Sequence, residues 1–250
     1  MIFIVGLGPG GENEMTPRAI QALECSDIIV GYKTYIDLLV SRFGHKKLIP
    51  SAMKQEIERC RQVAELALAG NNVSLVSGGD AGVYGMSGPM LEVLDTLGIE
   101  RAKNIEVEVI PGITSACSAA AVLGAPLTHD FAIVSLSDLL TPWPLIEKRL
   151  TLAAEADFVI CLYNPVSRNR KNFLQRACEA VMKLRDGNTP SGWVRNAGRK
   201  GQTYKILALS ELKNEELDMF CTVVIGNSET RILRGRMVTP RGYKMEGSPQ

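Results

Sequence analysis

Val73-Ser74-Leu75-Val76-Ser77-Gly78-Gly79-Asp80-Ala81-Gly82-Val83-Tyr84-Gly85 is an apolar run of strand length that empties into a loop dense in glycine. A short run bounded by glycine reads as a buried strand. Glycines at Gly78, Gly79 and Gly82 uncover backbone N–H and C=O groups and permit positive φ. The same grammar recurs upstream, where Ile2–Val5 runs into Gly6-Leu7-Gly8-Pro9-Gly10-Gly11, and downstream, where Ile105–Ile110 runs into Pro111-Gly112-Ile113-Thr114-Ser115. Helical signals lie between the strands. Thr16 is an N-cap and Pro17 a first helical residue for a helix to about Ser26. Residues 52–69 form a helix closed by Gly70, residues 89–96 one ended by Gly98, and residues 113–122 one of small side chains. Asp27–Val30 reads as a further strand and Tyr32–Phe43 as a helix. Strands alternating with helices build βαβ units and a parallel sheet. Ligands of such sheets sit beyond the carboxyl ends of the strands, where these three loops gather.

The stretch Gly124-Ala125-Pro126-Leu127-Thr128-His129-Asp130 breaks the pattern and marks a domain boundary. The expected organisation is an α/β domain over 1–126, a second over 127–242 and an irregular tail over 243–250, the irregularity beginning at Arg234. The second half holds a strand at 131–136, a helix at 142–153 capped by Thr141, a strand at 158–163 and a helix at 169–184. Strands at 192–194, 203–208 and 221–225 follow, so the second sheet is expected to be mixed.

Composition narrows the function classes. The chain has 28 basic and 27 acidic residues and a net charge of +1, so it has no global electrostatic reason to bind nucleic acid or an anionic membrane. Its most apolar stretch, 116–127, falls short of the ~20 residues that span a bilayer. No basic leader precedes the first strand, and a cytoplasmic protein is expected. The six cysteines contain no C-x-x-C pair and there are only two histidines, so no metal centre is expected.

The first loop satisfies G-x-G-x-x-G after a strand, which supports a nicotinamide-dependent oxidoreductase as a distant alternative. Two details oppose it. The helix starts too late, at Thr16–Pro17, and the second strand does not end in the acidic residue that would hold a ribose. In the second loop Asp80 either holds a cationic or hydroxyl-bearing ligand or caps its own loop. No Walker lysine follows, so this is not a P-loop. Thr114 and Ser115 place two hydroxyls at a helix start, where capping competes with ligand binding.

Taken with Val30-Gly31-Tyr32-Lys33-Thr34-Tyr35, Glu56-Ile57-Glu58-Arg59-Cys60, the run from Leu127 to Pro144 and Thr239-Pro240-Arg241-Gly242-Tyr243, these loops resemble the tetrapyrrole methylases, the S-adenosylmethionine enzymes of corrin and sirohaem synthesis. The likeness extends from Val5 to about Gly242. It is strongest to members that methylate C17 of a corrin precursor and contract its ring on the way to cobalamin; a member acting at another ring position is the nearer alternative. The resemblance implies two α/β domains with a cofactor cleft between them, usually in a homodimer, and a large polycarboxylate macrocycle as substrate. It assigns S-adenosyl-L-methionine, released as S-adenosyl-L-homocysteine, to Pro9, Gly78, Gly79, Asp80, Val83, Thr114 and Ser115, and in the second domain to Asn164, Ala197 and Asn227. Asn164 stands where relatives often carry methionine. Lys33, Arg168, Arg170, Arg195 and Arg199 are candidates for holding substrate carboxylates. Ring contraction needs proton transfer, for which His129 with Asp130 beside it, and Tyr32, are the candidates. Tyr32 occupies the position of an aspartate in uroporphyrinogen methylases.

Overall fold

A computed structural model describes residues 1–98, 102–166 and 172–243. The chain divides into two units, Met1–Ser115 and the residues from Ala116 onward. In the first, β1 (Ile2–Gly6), β2 (Ile28–Tyr32), β3 (Lys47–Ser51), β4 (Val73–Ser77) and β5 (Val107–Ile110) form a five-stranded sheet in the order β3-β2-β4-β1-β5. Every pairing is parallel.

Alternation along these strands feeds two cores. Ile2, Ile4, Ile28, Val30, Val73 and Leu75 pack with Cys60, Val63 and Ala64 of the helix Glu56–Leu68 and with Met90, Val93 and Leu94 of the helix Ser87–Thr96. Phe3, Val5, Ile29 and Val76 face the other way, onto Ala19 and Leu23 of the helix Pro17–Cys25 and onto Ile36, Leu39 and Phe43. Burial on both faces is why these strands read as unbroken apolar runs. The Thr16 cap is present: its hydroxyl accepts the Ala19 N–H at 3.1 Å.

Three first-unit elements differ from the sequence reading. The stretch read as one helix over 32–43 is two short helices, Lys33–Asp37 and Val40–Phe43, because Tyr32 still belongs to β2 and the helical path is interrupted at 38–39. The strand β3 was not expected. Pro50 argues against a strand, yet it is tolerated here because β3 lies at the sheet edge and needs partners on one side only. The third helix in the reading, 52–69, starts only at Glu56.

The second unit has its own five-stranded sheet. β7 (Phe131–Ser135), β8 (Val159–Tyr163), β9 (Pro190–Arg195), β10 (Thr203–Ala208) and β11 (Cys221–Ile225) take the order β10-β9-β11-β8-β7. Only β7 and β8 are parallel, so the sheet is mixed. One face packs on the helices Trp143–Glu155 and Phe173–Met182. Against the other face lie Ala116, Ala119 and Leu123 of the helix Ser115–Leu123. That packing assigns the helix to the second unit and puts the division nearer Ser115 than the expected 126/127.

Two further expectations are corrected. Thr141 does not cap the helix; Pro142 holds the N-cap position and no side chain bonds there. The residues after Arg234 are not all irregular, since β6 (Gly124–Ala125), β12 (Arg231–Leu233) and β13 (Arg236–Val238) form a small sheet in the order β12-β13-β6. Thr239, fully buried, donates its N–H to Ala125 O at 3.1 Å and shares a hydroxyl bond of 2.8 Å with Thr230. The hydroxyl of Thr128 donates to Thr239 O. The motifs around Thr128 and Thr239, far apart in sequence, thus brace each other.

Candidate functional site

At the carboxyl edge of the first sheet the three glycine-rich loops form one backbone assembly. Gly8 and Gly79 exchange N–H···O bonds at 3.0 and 2.7 Å, and Leu7 N–H donates to Ser77 O at 2.9 Å. Gly8 and Gly79 adopt φ of +73° and +69°, which glycine alone takes without strain. A Cβ on Gly6 would stand 2.7 Å from Gly112 N and 2.8 Å from Gly79 O, so loops one, two and three meet at a spacing no side chain permits. A Cβ on Gly79 would instead meet Thr114 Cα and Ser115 N at an ordinary 3.7 Å. The second loop therefore passes beside the backbone of Thr114 and Ser115 at van der Waals distance.

Asp80 fastens this assembly. Its Oδ1 accepts the N–H groups of Gly82 at 2.8 Å and Val83 at 3.1 Å, and its Oδ2 accepts that of Gly112 at 3.0 Å. Of the two roles open to Asp80, the structure shows the cap: the carboxylate ties the second loop to itself and to the third. Pro9 is buried at the turn of the first loop.

Tyr32, half-buried, and Lys33, exposed, follow β2 at the same edge. The Tyr32 ring meets that of Tyr35 edge-on, with centroids 5.6 Å apart. Tyr35 in turn packs against Gly78, where a Cβ would come within 2.6 Å of the ring. Tyr35 has no role in the sequence reading beyond its place in a motif, and the signal was there, since it lies three residues from Tyr32 in a helical turn. Arg59, likewise part of a motif, has no role there either. Its buried guanidinium donates to Ala52 O at 3.0 Å, to the Ser51 hydroxyl and to Met86 Sδ, joining the end of β3 to the far end of the second loop. Burial, which strips water from the charged form, holds its pKa below the ordinary arginine value.

The second sheet sorts its candidates to opposite edges. β7, β8 and β9 point one way and β11 the other. Asn164 follows β8 and Ala197, Arg195 and Arg199 lie at the end of β9, so these four share the edge reached by the carboxyl end of β7. Asn164 is exposed at φ +52° and donates from Nδ2 to Ser135 Oγ at 3.0 Å. Arg195 pairs with Asp218 at 2.7 Å and Ala197 is buried. Arg168 and Arg170 lie outside the described residues.

His129 and Asp130 precede β7, and Asn227 follows β11, which places all three at the other edge. His129 is exposed, and its Nδ1 accepts the Asp130 N–H at 2.9 Å. Asn227 is buried and its side chain is spent on the chain: Nδ2 donates to Asp157 O at 3.2 Å, and Oδ1 accepts from Glu229 N at 3.1 Å and from the Thr230 hydroxyl at 3.0 Å. The structure thus does not bring His129, Asp130 or Asn227 to the edge that carries Asn164 and Ala197.

Comparison with known proteins completes the description. Residues 1–213 match the model of the Tetrapyrrole (Corrin/Porphyrin) Methylases. The "Probable cobalt-factor III C(17)-methyltransferase" of Salmonella typhimurium is 48% identical over 98% of this chain and 100% of its own length. The "Precorrin-3B C(17)-methyltransferase" of a Sinorhizobium species is 38% identical over 97% of this chain and 96% of that protein. Among solved structures, that of the methyltransferase CobJ superposes with a TM-score of 0.90 at 35% identity, covering 96% of this chain and 99% of the other. A uroporphyrin-III C-methyl transferase from Thermus thermophilus, complexed with S-adenyl homocysteine, superposes with a TM-score of 0.67 at 21% identity, covering 90% of this chain and 96% of the other; it speaks to the fold alone. No helix among the described residues is long and apolar enough to cross a membrane.

Proposed function

Because the chain belongs to the tetrapyrrole (corrin/porphyrin) methylases, we propose that it transfers a methyl group from S-adenosyl-L-methionine to C17 of a corrin precursor of the precorrin-3B or cobalt-factor III type, with ring contraction, in cobalamin biosynthesis. The observation that carries this reading is near-full-length similarity to two proteins whose names share C(17)-methyltransferase.

The glycine assembly of the first unit fits the cofactor. Gly78 and Gly79 offer backbone bare of side chains, Val83 an apolar side chain, and Thr114 and Ser115 run beside Gly79, while Asp80 ties the second loop to the third. Pro9 fixes the first loop beside them. Asn164 and Ala197 are the second unit's candidates for the same ligand. When bound, S-adenosyl-L-methionine supplies a sulfonium-activated methyl, so what the protein adds is chiefly position. Holding two reactants in a near-attack arrangement can remove roughly 7–11 kcal/mol of barrier. This accounts for a site rich in backbone and poor in nucleophiles.

For the proton transfers of ring contraction the reading retains Tyr32, at the loop-bearing edge of the first sheet, with its ring braced by Tyr35. Lys33, Arg195 and Arg199 are the described cations proposed for substrate carboxylates. A homodimer and a cytoplasmic location belong to the same proposal; the six cysteines are all free, which suits a reducing compartment.

Calorimetric titration tests the cofactor assignment. S-adenosyl-L-homocysteine is expected to bind with micromolar affinity or better while NADH gives no heat. Tight NADH binding without S-adenosyl-L-homocysteine binding would sink the proposal.

A further inference from the structure

The loop between β7 and the helix Trp143–Glu155 presents two adjacent leucines to solvent: Leu139 is 60% exposed and Leu140 98% exposed. Single exposed apolar residues are ordinary. This pair differs in being held out by a loop fixed at both stems. At one stem Leu136 is fully buried and donates its N–H to Tyr163 O at 2.9 Å, and Ser135 Oγ accepts from Asn164 Nδ2 and, at 3.3 Å, from Ser137 N. At the other, Trp143 is buried under the Arg176 guanidinium and against Phe173. Neither stem can move inward to bury the leucines without breaking these contacts.

Where the loop emerges matters as much. It leaves the carboxyl end of β7, the edge that also carries Asn164, Ala197, Arg195 and Arg199. An apolar projection and a set of cations on one sheet edge complement a ligand with a flat apolar body and an anionic rim. We propose that Leu139 and Leu140 form the surface on which the face of the tetrapyrrole ring rests, while cations of the same edge take its carboxylates. The inference rests on the reading of the chain as a tetrapyrrole methylase. It makes the two leucines determinants of macrocycle binding rather than of cofactor binding.

The test uses the full chain and uroporphyrin, a stable polycarboxylate tetrapyrrole, in an absorbance titration. The double variant Leu139→Ser/Leu140→Ser is expected to bind uroporphyrin at least tenfold more weakly than the wild type. Leu139→Met/Leu140→Met, which keeps the apolar surface, is expected to stay within about twofold. Affinity for S-adenosyl-L-homocysteine and the melting temperature are expected to be unchanged in both. A serine variant that binds uroporphyrin as the wild type does would overturn the inference, as would a change of oligomeric state with unchanged affinity, which would make the leucines a contact between copies. The outcomes separate from those of the parent reading. A wild type that binds uroporphyrin but methylates no corrin precursor defeats the assigned reaction, and the variant pair still decides the role of the loop. A wild type that binds no tetrapyrrole defeats both.

Discussion

Asp80 shows how much of this site is built from one side chain and the absence of others. Its carboxylate accepts three backbone N–H groups from two loops. Asparagine would keep one acceptor oxygen and turn an amide N–H₂ toward a donor. Asp80→Asn is therefore expected to lower stability by about 1–3 kcal/mol and to weaken S-adenosyl-L-homocysteine binding at least tenfold, as read by urea denaturation and calorimetry. Gly112 has less room still: a Cβ there would overlap the backbone of Gly6 and the carbonyl of Gly79. Gly112→Ala is expected to cost more stability than Gly70→Ala, although Gly70 has φ +92°, because Gly70 has open space around it and Gly112 has backbone; the two urea midpoints check the order. The glycines and Asp80 were legible in sequence because a loop that approaches another backbone this closely admits few residue types. The placement of His129 and Asp130 was not legible, for the opposite reason. Proximity in sequence to a conspicuous motif does not say which edge of a sheet a residue reaches, and that is decided by the direction of β7 relative to β8 and β11.

Elements were legible where local rules and burial agree. Strands β1, β2 and β4 of the first sheet, covered on both faces, announced themselves as apolar runs, and Thr16–Pro17 announced a helix start. Strand β3 was hidden by Pro50, whose missing N–H is harmless only at an edge. The small sheet of β6, β12 and β13 was hidden because its strands are two or three residues long and β13 pairs with β6 over a hundred residues away. Arg185 is a further element that sequence could not show. Its buried guanidinium donates to Ala153 O at 3.3 Å and Ala154 O at 3.5 Å, at the end of one helix, and to Phe158 O and Gly226 O in neighbouring turns. Arg185→Met keeps most of the volume and strands these carbonyls. A loss of roughly 3 kcal/mol is expected, with S-adenosyl-L-homocysteine affinity of the folded fraction unaltered; a variant as stable as the wild type would show that water replaces the clamp.

At the scale of the molecule, the cysteines give stability a pH dependence of definite sign. Burial raises the Cys60 and Cys221 thiols to about 11 and the Cys161 and Cys178 thiols to about 12, against an ordinary value of about 8.5. In the unfolded chain these thiols release their protons first. Their contribution is complete below the unfolded pKa and is lost as pH rises toward the folded values. By pH 10 each thiol is expected to cost roughly 1–2 kcal/mol. The fall in urea midpoint between pH 7.5 and pH 10 should therefore be smaller in Cys161→Ala/Cys178→Ala than in the wild type, and equal falls would contradict the assignment of these thiols to the core.

The two-sheet α/β plan and the glycine-loop edge could be read from the chain because they rest on period, glycine and capping. The placement of the second unit's candidates could not, since a mixed sheet sends successive strand ends to opposite edges. The central claim, methyl transfer to a corrin precursor, is tested most directly by incubating the protein with methyl-labelled S-adenosyl-L-methionine and, in parallel, precorrin-3B and cobalt-factor III, following label, mass and absorbance of the tetrapyrrole. The account predicts that one labelled methyl group appears on one of the two substrates together with the spectrum of a contracted ring. Absence of label from both, in a preparation that binds S-adenosyl-L-homocysteine, would contradict it.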